Sequence, residues 1–247
     1  MKADPFVQLR LLDLQVLDSA LDRLAHRRRT LPELAEIARL DGLVAAGRDD
    51  VVDAETKVSD LTREQDKLES EIAVVRARRE RDEQRMASGA VTQSKQLEDL
   101  QHEVASLSKR QSDLEDAQLE VMERAEVAQA VLDELLSTRE GRTTARAQAA
   151  VSRDEAMLAL DTELERTRLE RTDVAAEIPA ALLALYDKIR GAEGGIGAGP
   201  IERGRCGGCR LDLMNNEKAE FRAAPVDEVL RHEECTRILV RTAESGL

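Results

Sequence analysis

The three cysteines of the chain all lie in its last 42 residues, and two of them stand in a tight pair, Cys206-Gly207-Gly208-Cys209. The third has a histidine at the same spacing, His232-Glu233-Glu234-Cys235, with 22 residues between the two pairs. A two-residue gap puts both donors of a pair on one side of an ion, and two such hooks make a tetrahedral set of thiolate and imidazole donors suited to Zn²⁺. Gly207 and Gly208 let the backbone turn around the metal. Four protein donors leave no open coordination position, so Cys206, Cys209, His232 and Cys235 are expected to hold one structural Zn²⁺. An odd cysteine count argues against a disulfide framework. Reading CGGC as a redox motif would need a strand–helix–strand frame that the flanking sequence lacks.

These hooks need positioning by something, and proline and glycine mark out what. After Pro32 no proline occurs until Pro179. Residues 191–200, GAEGGIGAGP, then hold five glycines and a closing proline. That composition predicts a flexible linker over 191–200 between a helical body, residues 1–190, and a zinc-ribbon module, residues 201–247. A module of some 40 residues builds little core, so metal would largely hold it folded.

The body carries two heptad stripes. One runs Val51, Ala54, Val58, Leu61, Gln65, Leu68, Ile72, Val75; the other runs Leu97, Leu100, Val104, Leu107, Gln111, Leu114, Gln118, Val121, Ala125, Ala128, Leu132, Leu135. Spacing of three and four with charge elsewhere is the coiled-coil pattern. The break at Ser88-Gly89 makes the two helices antiparallel neighbours, with Ile72 expected opposite Leu107 and Val58 opposite Val121. Upstream, Leu34, Ile37, Leu40 and Val44 continue the first stripe, whereas the second drifts after Leu135 and resumes near Met157, Leu160 and Leu164. Residues from Pro5 to about Arg28 read as a separate amphipathic helix that folds back on 157–188. The expected fold is mainly α, a long antiparallel helical hairpin with a small C-terminal zinc ribbon.

The chain carries 37 Lys and Arg against 50 Asp and Glu, a net charge of −13, and only three aromatic residues, Phe6, Tyr186 and Phe221. Such a chain does not bind polyanions by bulk charge, so contact with nucleic acid would need a local basic patch. Arg203, Arg205 and Arg210 flank the first hook, and Arg231, Arg237 and Arg241 flank the second. Gathered round one metal, these six arginines are the candidate phosphate contacts. A second basic run, RARRERDEQR at 76–85, lies near the hairpin turn, and a third is His26-Arg27-Arg28-Arg29. No apolar run has membrane-spanning length and no signal-peptide pattern opens the sequence, so a cytoplasmic protein is expected.

With these features together, the chain resembles the bacterial family of coiled-coil proteins that end in a C4-type zinc ribbon. The resemblance rests on the N-terminal helix, the hairpin, the glycine-rich step, RCGGC and the closing hook that runs into C-T-R-I-L-V. His232 stands where that family usually has cysteine, and Thr236 where it usually has glycine. The resemblance implies a non-enzymatic adaptor, with members linked to transcription or secretion partners and a ribbon that contacts protein or nucleic acid. The sequence itself offers no nucleophile–base constellation and no phosphate loop. The expected function is a zinc-binding adaptor for protein partners, with self-association of the stalk open. The alternative is a nucleic-acid-binding regulator of transcription or post-transcriptional steps that acts through the ribbon arginines.

Overall fold

The computed structural model describes residues 1–247. The elements are α1 (Pro5–Arg29), α2 (Pro32–Ala87), α3 (Ser94–Ala176), α4 (Ala180–Ala192), β1 (Ala198–Glu202), β2 (Arg205–Cys206), α5 (Asn215–Ala223), β3 (Leu230–Arg231) and β4 (Ile238–Val240). They form two compact units: a terminal unit of Met1–Ala35 with Ala150–Leu247, and a hairpin unit of Glu36–Ala149.

Helix ends follow local chemistry. The Asp4 carboxylate accepts from the Phe6 N–H at 2.8 Å, with Pro5 opening α1. Thr30 closes α1, and Pro32 starts α2. At the far end of α2, Gly89 takes a φ of +66°, the left-handed cap that stops the helix.

In the hairpin unit every residue of the two heptad stripes is buried or half-buried, and most other positions are exposed. Leu61, Val121 and Ala128 form a cluster flanked by Val58, Leu68 and Ala125. The pairing is displaced by a few residues from that expected for a pivot at Gly89, because the turn takes up residues 88–93. Arg78 therefore pairs with Glu103 and Glu71 with Arg110. α3 stays helical through the stretch where its apolar frame drifts. There polar groups bridge the helices: the Arg142 guanidinium donates to Leu43 O at 3.0 Å, and Arg146 pairs with Asp41 at 3.0 Å.

In the terminal unit α1 runs antiparallel to the end of α3. Leu24 and Leu31 pack with Leu160 and Leu164, and Arg28 pairs with Asp161. The sheet order is β2-β1-β4-β3, with β1 parallel to β4 and the outer pairs antiparallel. Side chains alternate across β4, so one strand serves two cores. Ile238 and Val240 join Leu11, Leu14, Leu182, Tyr186 and Ile189 of the helices, whereas Leu239 joins Ile201, Cys206, Phe221, Leu230 and Cys235 of the ribbon.

The structure departs from the expected flexible linker over 191–200. α4 extends to Ala192, β1 starts at Ala198, and residues 197–199 are buried. Gln15 of α1 holds the segment from both sides, accepting from the Gly197 N–H at 2.7 Å and donating to Gly195 O at 2.9 Å. A Cβ at Gly197 would lie 2.7 Å from Tyr186 O, and one at Gly199 would lie 2.6 Å from the Gly208 nitrogen. These glycines admit close backbone packing, a use that composition does not distinguish from flexibility. The boundaries expected at 190 and 201 thus fall inside the terminal unit.

Candidate metal centre

Cys206 ends β2, Cys209 follows in the next turn, and the turn between β3 and β4 carries His232 and Cys235. One donor atom from each of the four lies within 4.8 Å of the others. The nitrogen that faces the thiols is Nδ1 of His232, 3.0 Å from Cys235 Sγ and 3.4 Å from Cys209 Sγ. Cys206 Sγ stands 3.8 Å from Cys235 Sγ. The two hooks that the sequence spacing singles out are therefore brought to one point.

The hooks share one backbone design. After the second donor of each, the chain enters the left-handed region, at φ +67° for Arg210 and +58° for Thr236. The N–H of that residue then donates to the carbonyl of the first donor: Arg210 to Cys206 O at 2.7 Å, and Thr236 to His232 O at 2.9 Å. Left-handed backbone is unfavourable for a side chain with a Cβ, and most so for a β-branched one.

Burial pushes the Cys206 thiol up to about 12. Cys209 is shifted the other way. Burial raises its thiol too, but the Leu211 N–H, the thiols of Cys206 and Cys235, and the Arg237 guanidinium together hold it below its ordinary value. Three sulfur donors and one imidazole nitrogen fit a soft or borderline cation better than the hard, oxygen-seeking ones.

A buried acid lies behind the histidine. Glu217, in the first turn of α5, is 1% exposed; its carboxylate accepts from Met214 N–H at 2.9 Å and from Glu233 N–H at 3.0 Å. Its Oε2 is 3.9 Å from Nε2 of His232, a nitrogen that is buried and lacks a hydrogen-bond partner. Sequence reasoning missed Glu217. A faint signal was available in its place three residues after Met214, where a glutamate can turn back on the start of a helix.

The six ribbon arginines do not form one free cluster. Arg237 donates to Glu193 O at 2.7 Å and to Ile196 O at 3.0 Å, tying the second hook to the end of α4. Arg241 donates to the carbonyls of Phe221, Ala224 and Pro225 and so closes the C-terminus of α5. Arg231 donates to Thr236 O, and Arg205 pairs with Asp212. Arg203 and Arg210 are exposed. In the run at 76–85, Arg76 pairs with Glu115, Arg78 with Glu103 and Arg79 with Glu83.

A long antiparallel coiled coil in one chain with a small sheet that gathers three cysteines and a histidine defines a class: helical-hairpin proteins with a candidate metal-binding ribbon. The chain belongs to the CT398-like coiled coil hairpin domain family, whose profile matches residues 14–194. It is 39% identical to an uncharacterized protein of Mycobacterium tuberculosis over 241 residues, 98% of each chain. A solved structure from Mycobacterium smegmatis matches with a TM-score of 0.83 and 36% identity, covering 98% of this chain and 100% of that one. CT398 from Chlamydia trachomatis matches with a TM-score of 0.64 at 20% identity, over 96% and 98% of the two chains, a likeness of fold. No helix is long and apolar enough to cross a membrane.

Proposed function

We propose that the protein is a non-enzymatic, cytoplasmic adaptor whose ribbon is held by one structural Zn²⁺ on Cys206, Cys209, His232 and Cys235, and whose hairpin and ribbon engage protein partners. The observation that carries this reading is the convergence of four soft or borderline donors within 4.8 Å. Four protein donors saturate a tetrahedral ion and leave no position for substrate. Three unpaired thiols side by side suit a reducing compartment. The hairpin adds a long exposed surface built from repeated heptads, a form that serves contact rather than catalysis.

The nucleic-acid alternative has less support, since Arg205, Arg231 and Arg241 are engaged within the ribbon and Arg237 with the end of α4. Elemental analysis of the purified chain should give one zinc per chain, lost in Cys206→Ser. A zinc-free wild type that is folded would overturn the metal reading. Anisotropy with labelled single-stranded RNA and duplex DNA, at about 50 and about 200 mM salt, tests the rest. Micromolar binding that collapses with salt would replace the protein-adaptor reading with the regulator reading.

A further inference from the structure

His232 and Glu217 are both at most 1% exposed, and burial makes each of them expensive unless partnered. The two halves of the imidazole are unequally served. Nδ1 faces the sulfur atoms of Cys209 and Cys235, while Nε2 is enclosed and has no hydrogen-bond partner. An enclosed N–H without an acceptor is uncommon in folded proteins and costs free energy. A carboxylate stands 3.9 Å from that nitrogen, just beyond hydrogen-bond length, and the backbone N–H groups of Met214 and Glu233 orient it by holding one oxygen each. Met214 begins the turn into α5 and Glu233 belongs to the second hook. The carboxylate thus links the helix to the metal turn and faces the unused side of the candidate ligand.

Resting on the metal reading above, we infer that Glu217 is a positioning residue for the metal: its carboxylate, 3.9 Å from Nε2 of His232, closes to accept the Nε2–H when the ion binds and so commits Nδ1 to the ion. Histidine ligands characteristically donate their second ring N–H to a carboxylate or carbonyl, which fixes the tautomer and makes the ligating nitrogen a better donor. A cysteine at position 232 would have no such hydrogen to place. Glu217 is therefore a companion to the histidine in particular, and its contribution to metal binding should depend on that histidine.

That dependence gives the test. Zn²⁺ affinity of the full chain is measured by chelator competition for wild type, Glu217→Gln, His232→Cys and the double variant, with folding followed by circular dichroism. In the wild-type background Glu217→Gln should weaken Zn²⁺ by about tenfold to a hundredfold. In the His232→Cys background the same change should have little effect. Equal losses in both backgrounds, or none in either, would overturn the assignment and leave Glu217 as a support of α5 alone. Should Glu217→Gln or His232→Cys fail to fold, ¹⁵N-histidine NMR of the zinc-loaded wild type decides: a metallated Nδ1 with a protonated Nε2 on His232 supports the assignment, and a metallated Nε2 overturns it. A folded wild type that takes up no Zn²⁺ would instead overturn the metal reading from which this one starts.

Discussion

In the hairpin unit, buried apolar side chains are sparse: after Ile37 and Leu40, Val51, Leu61 and Ile72 follow along α2 at intervals of ten or eleven residues, with half-buried positions between them. In the terminal unit they gather in dense clusters, where Leu11, Leu14, Leu182, Tyr186 and Ile238 meet in one and Ile201, Cys206, Phe221, Leu230 and Leu239 in another. Polar contacts divide in the same way. The ion pairs across the hairpin, such as Arg78–Glu103, are exposed at both ends, whereas Asp18 of the terminal unit is 2% exposed and bound by Arg171 at 2.6 Å and by the Tyr186 hydroxyl at 2.7 Å. One unit sums many weak, repeated contacts; the other concentrates its stability in a few residues that nothing replaces.

The largest expected effect tests that concentration at the metal. Cys206→Ser, or stripping the metal with a chelator, should unfold the ribbon and also destabilise the packing of α1 and α4, since Ile238 and Val240 of β4 lie in the core of those helices. Protection from hydrogen exchange should fall along α1, α4 and the strands while residues 50–135 keep theirs. Loss confined to residues 201–247 would restore the independent module that the glycine-rich stretch suggested.

Asp18→Ala tests concentration away from the metal. It removes the nearer acceptor of the Tyr186 hydroxyl, leaving Gln15 Oε1 at 3.2 Å, and strips Arg171 and Arg190 of the buried anion they share, leaving them the more exposed Asp187 and Asp22. Tyr186 is fully buried, and burial followed by the bond to Asp18 raises its hydroxyl far above the ordinary value, so it stays a donor in need of an acceptor. The expected loss is about 3 kcal/mol by denaturant titration, in the range for breaking a buried charged contact. A loss under about 1 kcal/mol would mean that the terminal unit spreads its stability as the hairpin does.

How much of this the sequence made legible follows from the same contrast. The heptad stripes were readable because a two-helix coiled coil repeats one local rule, and each expected stripe position is in fact shielded. The four candidate ligands were readable because the spacing within each hook is itself the geometry of the site. Gln15, Asp18 and Glu217 were not, nor was the part Arg237 plays in tying the second hook to α4. Their partners lie 16 to 182 residues away, and no periodicity marks a residue whose role is set only by tertiary packing. The segment 191–200 was misread for a related reason, since glycine signals flexibility and close approach with the same letter.

A smaller effect concerns strain at the second hook. Thr236 adopts φ +58° with a β-branched side chain, and it stands where the resembled family usually has glycine. Thr236→Gly should stabilise the terminal unit by about 1 kcal/mol, the cost of holding a Cβ in left-handed backbone. The gain should be read as a rise in the terminal unit's melting transition with the hairpin's transition unchanged. No gain would mean that the threonine side chain offsets its own strain.

The smallest effect belongs to the hairpin and bears hardest on the idea of distributed stability. Arg78 and Glu103 are paired across the two helices, with side chains 60% and 40% exposed. Water competes for both ends, and ordering two long side chains offsets most of the Coulomb gain. A double-mutant cycle of Arg78→Ala and Glu103→Ala should give a coupling within about 0.5 kcal/mol, shrinking further as salt is raised. The neighbouring pairs Arg110–Glu71 and Arg124–Glu64 are of the same exposed kind and should behave alike. If one pair instead proved worth about 2 kcal/mol, the hairpin would have its own point of concentration, and the division between the units would be one of degree.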